Sequence, residues 1–157
     1  MIVKEVSSVD FLNYKKPSTF IAFPSCTLKC DRECGKAVCQ NSELIQSKSV
    51  DVSIEKIIQR YKDNALSKAL VCGGLEPFDS WGDLKELITK FREMTNDDFV
   101  IYTGYYPYEI QEEIKYLQQF NNIIIKFGRF VPNQQHHYEE LLGVELASPN
   151  QFARRIS

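Results

Sequence analysis

Ala69-Leu70-Val71-Cys72-Gly73-Gly74-Leu75-Glu76-Pro77 is a short apolar run that stops on paired glycines, and its reading decides the fold. Four apolar residues bounded by a turn signal describe a strand buried on both faces, as in a parallel sheet. The glycines permit positive φ and a close approach of backbone to ligand. The same unit recurs on either side. Thr19-Phe20-Ile21-Ala22-Phe23 ends at Pro24, Phe99-Val100-Ile101-Tyr102 ends at Thr103-Gly104-Tyr105, and Ile123-Ile124-Ile125 runs through Lys126-Phe127 to Gly128. Helical spacing fills the intervals. Ile54, Ile57, Ile58 and Tyr61 follow a capping Ser53; Leu84, Leu87, Ile88 and Phe91 form a second stripe; Ile110, Ile114 and Leu117 follow Pro107, a residue favoured at helix starts. Gly73, Gly104 and Gly128 lie 31 and 24 residues apart, close to the ~30 residues of a βαβ unit.

Successive units of this kind predict an α/β fold with a largely parallel sheet. Right-handed crossovers gather the loops that leave the strand C-termini on one edge, where such sheets place their ligands. A closed eight-unit barrel takes about 250 residues, whereas this chain has 157. The expectation is therefore an open partial (β/α) barrel in a single domain, residues 1–157, with an exposed crevice. A last strand is expected at Leu142-Gly143-Val144-Glu145-Leu146, followed by a short tail and a charged end at Arg154 and Arg155.

Composition narrows the classes of function. Hydrophobic residues make up 43% and charged residues 25%, which excludes disorder as the main state. Nineteen Lys and Arg against 21 Asp and Glu give a net charge of -2, so no basic field exists for nonspecific nucleic-acid binding. No stretch reaches the roughly 20 apolar residues of a membrane span. The opening Met1-Ile2-Val3-Lys4-Glu5-Val6-Ser7 lacks the apolar core of a secretory signal. A cytoplasmic protein with reduced cysteines is the expectation.

Four of the five cysteines, Cys26, Cys30, Cys34 and Cys39, share one 14-residue window inside an aperiodic loop at about 24–41. Cys72 stands apart at a strand end and reads as a small buried hydrophobe. Several thiolates crowded on one loop repel unless a cation joins them. Zinc accepts four thiolates, but its structural sites usually pair ligands from two knuckles. Ligands strung singly along one excursion suit an iron–sulfur cluster better. A zinc-stabilised, non-catalytic binding module is the alternative.

These motifs resemble the radical S-adenosylmethionine superfamily, and within it the glycyl radical enzyme activating proteins, as in the anaerobic ribonucleotide reductase system. Cys26-Thr27-Leu28-Lys29-Cys30 is similar to the first half of that superfamily's C-x3-C-x2-C. Cys39-Gln40-Asn41 resembles its third cysteine, followed by a variable residue and asparagine. Cys34, at x3, is the competing third ligand. Gly73-Gly74-Leu75-Glu76-Pro77 resembles the Gly-Gly-Glu-Pro turn that meets the cosubstrate ammonium. Tyr102-Thr103-Gly104-Tyr105 and Ser148-Pro149-Asn150-Gln151 resemble two further elements of the activating proteins.

The resemblance implies a [4Fe–4S] cluster and S-adenosyl-L-methionine as cofactors. It implies cluster ligands Cys26, Cys30 and Cys39 or Cys34, and cosubstrate contacts from Gly73, Gly74, Glu76, Thr103, Tyr105 and Asn41. A large glycyl radical enzyme is the implied partner, with a flavodoxin-like or other low-potential electron donor. A peptide or small metabolite is the alternative target. Two departures stand out: Leu75 interrupts the turn, and Lys126-Phe127-Gly128 replaces the Asp-Gly of the activating proteins.

Overall fold

The apolar run around Val71 becomes a central strand, flanked by the other three. The computed structural model describes residues 1–157. The chain begins with β1 (Ile2–Val3), β2 (Glu5–Asp10) and β3 (Ser18–Phe23), then α1 (Lys29–Cys34), α2 (Ser42–Gln46) and β4 (Val50–Asp51). Next come α3 (Ile54–Asp63), β5 (Ala69–Gly74), α4 (Trp81–Met94), β6 (Asp98–Tyr102), α5 (Gln111–Leu117) and β7 (Ile123–Phe127). It closes with β8 (His137–Glu139), β9 (Val144–Leu146) and β10 (Phe152–Arg155). Short 3-10 turns at Pro77–Ser80 and Pro107–Glu109 lead into α4 and α5.

The main sheet has six strands in the order β10-β7-β6-β5-β3-β2. β3, β5, β6 and β7 are parallel neighbours, with Phe20 opposite Val71, Val71 opposite Val100 and Val100 opposite Ile124. The structure is thus a mixed α/β single domain around a mostly parallel sheet. Period-two alternation sorts the strand residues between two cores. Ile21, Phe23, Leu70, Cys72, Phe99, Ile101, Ile123, Ile125 and Phe127 share one apolar cluster with Ile57 of α3, with Leu84, Leu87, Ile88 and Phe91 of α4, and with Leu117 of α5. Ala69, Val71, Val100 and Ile124 face the other way, against Tyr14, Leu142 and Leu146. The three longest helices therefore cover one face, and loop segments cover the other. Cys72 is fully buried, as its strand position implies.

Three features depart from the reading of the sequence. The Leu142–Leu146 stretch is not a fifth strand of the sheet: only Val144–Leu146 is extended, and it pairs with β8 in a separate two-stranded ribbon. Both edges of the main sheet are antiparallel, β2 on β3 and β10 on β7. Glu5-Val6-Ser7-Ser8-Val9-Asp10 spaces its valines three apart, and Phe152-Ala153-Arg154-Arg155 is half charged, so neither shows the apolar alternation of a buried strand. Charged residues are what a solvent-facing edge tolerates. Arg155 is not a loose end but reaches Asp98 with both guanidinium nitrogens at 3.2 Å. Third, the cysteine loop contains the short helix α1, closed by Gly35 at φ 66°.

The one-sided helical layer predicts a sharp contrast within α4. Leu87→Ala, at a fully buried site, should cost about 2–5 kcal/mol in urea unfolding. Glu86→Ala, on the exposed side of the same turn, should stay within about 0.5 kcal/mol.

Candidate functional site

A cavity of about 340 Å³ opens where the parallel strands end, on the sheet face away from the helices. Cys26, Cys30 and Cys39 line it together with Gly73, Gly74, Leu75, Glu76, Thr103, Gly104 and Lys126. Cys34, on the last turn of α1, does not line it. Asn41 reaches the rim and donates from Nδ2 to the Gly74 carbonyl at 2.6 Å. Tyr105 does not line the cavity. Its hydroxyl donates to Asp79 Oδ1 at 2.6 Å, and its ring lies 3.9 Å beneath the Lys29 ammonium.

The strand-end turns are shaped by their glycines. Gly74 sits at φ 79°, and a Cβ there would come within 2.8 Å of the Ala22 Cβ, so neither the conformation nor the neighbour admits a side chain. Gly104 leaves room instead: a Cβ built on it would lie 3.7 Å from Glu76 Oε2 and 3.9 Å from Cys30 Sγ. Gly104 thus lies beside both the Cys30 thiol and the Glu76 carboxyl.

Glu76 is the most constrained polar group of the site. Its side chain accepts from Thr103 Oγ1 at 2.8 Å, from the Phe78 amide at 3.2 Å and from the Gly104 amide at 2.9 Å. Its own amide donates to Ser25 O at 2.8 Å, one residue before Cys26. Burial pushes its pKa up to about 7, against the three donors, which favour the carboxylate. Leu75, the residue that interrupts the glycine turn, is turned into the cavity wall while Glu76 is directed at β6.

Burial also raises the Cys26 thiol to about 11 and raises Cys30, with the Leu28 and Phe130 amides opposing it respectively. Lys126 is buried at the cavity wall and donates to Gly128 O at 3.0 Å. Desolvation lowers its pKa to about 8, and the nearby Cys30 and Glu76 pull it partly back. The cavity thus holds three acidic groups, Glu76, Cys26 and Cys30, and one base, Lys126, whose charged forms all suffer from dry surroundings.

The cysteine loop is tied down at several points that the sequence did not mark. Asp79 Oδ2 accepts from the Thr27 amide at 2.7 Å. Arg129 forms a bidentate pair with Glu109 at 2.6 and 2.7 Å, and its Nε lies 2.6 Å from Glu33 Oε1 on α1. Lys29 pairs with Glu109 Oε1 at 3.0 Å. Arg129 and Glu109 carry no motif, and only the spatial convergence of the Pro107 turn with the end of β7 brings them together. The Ser148–Gln151 segment returns to the same edge. Asn150 donates to Arg129 O at 2.9 Å, and Gly128, at φ 99°, passes so close that a Cβ would meet Asn150 O at 2.6 Å.

Whether these residues suit an iron–sulfur cluster is a question of donor chemistry. Cys26, Cys30 and Cys39 line one cavity, and thiolates are the usual cluster ligands. No three His, Cys, Asp or Glu side chains converge tightly enough to grip a single metal ion. The donor set is of the chemical type that holds an iron–sulfur cluster.

Residues 18–149 match the family described as 4Fe-4S single cluster domain. That span runs from β3 through the cysteine loop and all the parallel strands, and the chain belongs to this iron–sulfur family. No curated protein and no solved structure matches the chain.

Glu76 gives the metal-free protein a definite pH dependence. Its folded pKa of about 7 exceeds the ordinary 4.5, so the folded state binds the extra proton between these values. The stabilisation is complete below about 4.5 and is lost as pH rises toward 7, at up to roughly 1.4 kcal/mol per pH unit. In urea titrations from pH 5 to 7, Glu76→Gln should flatten that slope by about 1 kcal/mol per unit, whatever its absolute stability.

Proposed function

We propose that this chain is a radical S-adenosylmethionine enzyme of the glycyl radical activating type, with Cys26, Cys30 and Cys39 as the ligands of a [4Fe–4S] cluster. The observation that carries the reading is the sharing of one cavity, at the C-terminal ends of β3, β5, β6 and β7, by these three cysteines and the Gly73–Glu76 turn. The family match supports the cluster. The single-sided helical layer supports a partial barrel, because barrels carry their helices outside and their sites at the strand C-termini.

A bound [4Fe–4S] cluster would supply the one-electron reducing chemistry for reductive cleavage of S-adenosylmethionine. Cys26, Cys30 and Cys39 would hold that cluster, and no fourth cysteine lines the cavity. Glu76 presents a carboxyl with about four acceptor sites, of which protein donors use three, so one is left for an ammonium. Thr103 and the Gly104 amide hold that carboxyl in place, and Asn41 braces the Gly74 carbonyl. Tyr105, packed behind the wall, supports Asp79 and through it the Thr27 amide.

The cavity is at the small end of the 300–1,000 Å³ typical of ligand sites. It accommodates a cosubstrate more readily than a second large molecule, which favours a substrate segment presented at the rim by a partner. A large glycyl radical enzyme, such as anaerobic ribonucleotide reductase, is the proposed partner, with a low-potential flavodoxin-like protein as electron donor.

Anaerobic reconstitution should yield close to four iron and four sulfide per chain, and dithionite with S-adenosylmethionine should release 5′-deoxyadenosine. One tightly held zinc without sulfide would instead establish a non-catalytic module. Cys26→Ala, Cys30→Ala and Cys39→Ala should each cut cleavage by at least about 100-fold, while Cys34→Ala should stay near wild type. A glycyl radical signal on co-incubation with an anaerobic reductase identifies the partner, and cleavage without that signal points to a peptide or metabolite target.

A further inference from the structure

Cys34 and Cys39 are both half-buried thiols on the same loop, yet only Cys39 faces the cavity. Three features between them account for the difference. Gly35, at φ 66° with nothing within 4 Å of a built Cβ, ends α1 directly after Cys34. Asp31, one turn back on α1, then receives the returning chain on a single carboxylate oxygen: Oδ1 accepts from the Val38 amide at 2.8 Å and from the Cys39 amide at 2.9 Å. The Asp31 carbonyl also accepts from the Lys36 amide at 3.2 Å. Two residues beyond Cys39, the Asn41 side chain fastens the chain to Gly74 of β5.

We infer that Asp31 is the positioning residue that selects Cys39 over Cys34 as the third cluster ligand, by clamping the Val38 and Cys39 amides so that the Cys39 sulfur is delivered to the cavity. The inference rests on the three-thiolate reading above and adds to it the device that decides between two competing thiols. Charge-assisted hydrogen bonds from two successive amides to one carboxylate oxygen are short and directional, and they fix the backbone at the residue that carries the sulfur. α1 has only six residues, and an isolated helix of that length is unstable. Without Asp31 the segment Lys36–Cys39 has no other side-chain hydrogen bond to hold it. Cys34, four residues after Cys30 and thus on the same side of the helix, is then the nearest thiol able to replace Cys39.

The test compares wild type, Asp31→Asn, Asp31→Ala, Cys34→Ala and the double variant Asp31→Ala/Cys34→Ala, all as full-length chains. Asn retains the accepting oxygen, whereas Ala removes it. In the metal-free protein, hydrogen exchange at Val38 and Cys39 should accelerate at least tenfold in Asp31→Ala and by less than threefold in Asp31→Asn. After anaerobic reconstitution, wild type, Asp31→Asn and Cys34→Ala should share iron content and the electron paramagnetic resonance spectrum of the reduced cluster. Asp31→Ala should show an altered spectrum, and its loading should fall at least fivefold further when Cys34 is also removed. Asp31→Ala indistinguishable from a normally loading wild type in both exchange and spectrum overturns the inference and leaves the three-thiolate reading intact. Equal effects of Cys34→Ala in the two backgrounds also overturn it. A wild type that takes up no cluster overturns that reading and the inference together, while the exchange data still report whether the clamp exists.

Discussion

Glu76 joins three strand ends through a single residue. Its amide fastens the exit of β3 at Ser25, its side chain takes donors from the exit of β6 at Thr103 and Gly104, and it stands itself at the exit of β5. A carboxylate this dry is unfavourable unless its lone pairs are met by donors. The donors here come from exactly the turns whose relative placement defines the cavity. Displacing any of those turns strands either a buried carboxyl or a buried amide, so an electrostatic requirement joins apolar packing in setting the geometry of the strand ends. The cysteine segment begins at one end of this arrangement, which is why its first thiol, Cys26, is placed before any metal is present.

A second layer of charge fixes the far side of the same segment. Glu109 is held well below the ordinary carboxylate range, near 2, chiefly by its paired hydrogen bonds with Arg129. Arg129 spreads its guanidinium over Glu109, Glu33 and the Gly104 carbonyl while its own backbone oxygen accepts from Asn150. The planar fork of arginine suits such divided attachment in a way a lysine ammonium does not. α1 therefore enters the site braced from both flanks, by Asp79 near its start and by Arg129 along its body. A buried ion pair adds little net stability, but the contacts of Arg129 with Glu33 and of Lys29 with Glu109 are made only in this placement of α1.

The parallel core was legible because its signals are local. Buried strands read as continuous apolar runs, the helices between them as stripes of period 3.6, and the strand ends as glycines, and each of these survives in the structure around Val71, Leu87 and Gly74. The edges were not legible. β2 and β10 gain their extended form by pairing with β3 and β7, and Val6 or Arg154 announces none of that in its own neighbourhood. The site divides in the same way. Cys26, Cys30, Cys34 and Cys39 were marked by their clustering and Glu76 by the resemblance of its turn, whereas Arg129, Glu109 and Asp31 act through contacts with residues that only the fold brings near. Tyr105 shows the converse: its motif position suggests the cavity, but a hydrogen bond to Asp79 and the Lys29 ammonium over its ring hold it behind the wall.

The two faces of the sheet constrain how any second molecule reaches the cavity. On the helical face, Leu84, Leu87, Ile88 and Phe91 seal the strands completely. On the other face, Tyr14 and Leu142 are buried against Val71, Val100 and Ile124, and the Lys15 amide donates to Leu142 O at 2.7 Å, so the 11–17 segment and the segment before β9 lock over the middle of the sheet. Gly143, at φ 74° with its Cα against Lys15, makes that closure possible, because a Cβ there would lie 2.5 Å from the Lys15 Cβ. These two segments fill the space over the middle of the sheet on this face. Access is left at the strand C-terminal edge, between the cysteine segment and the Glu145–Ala147 rim.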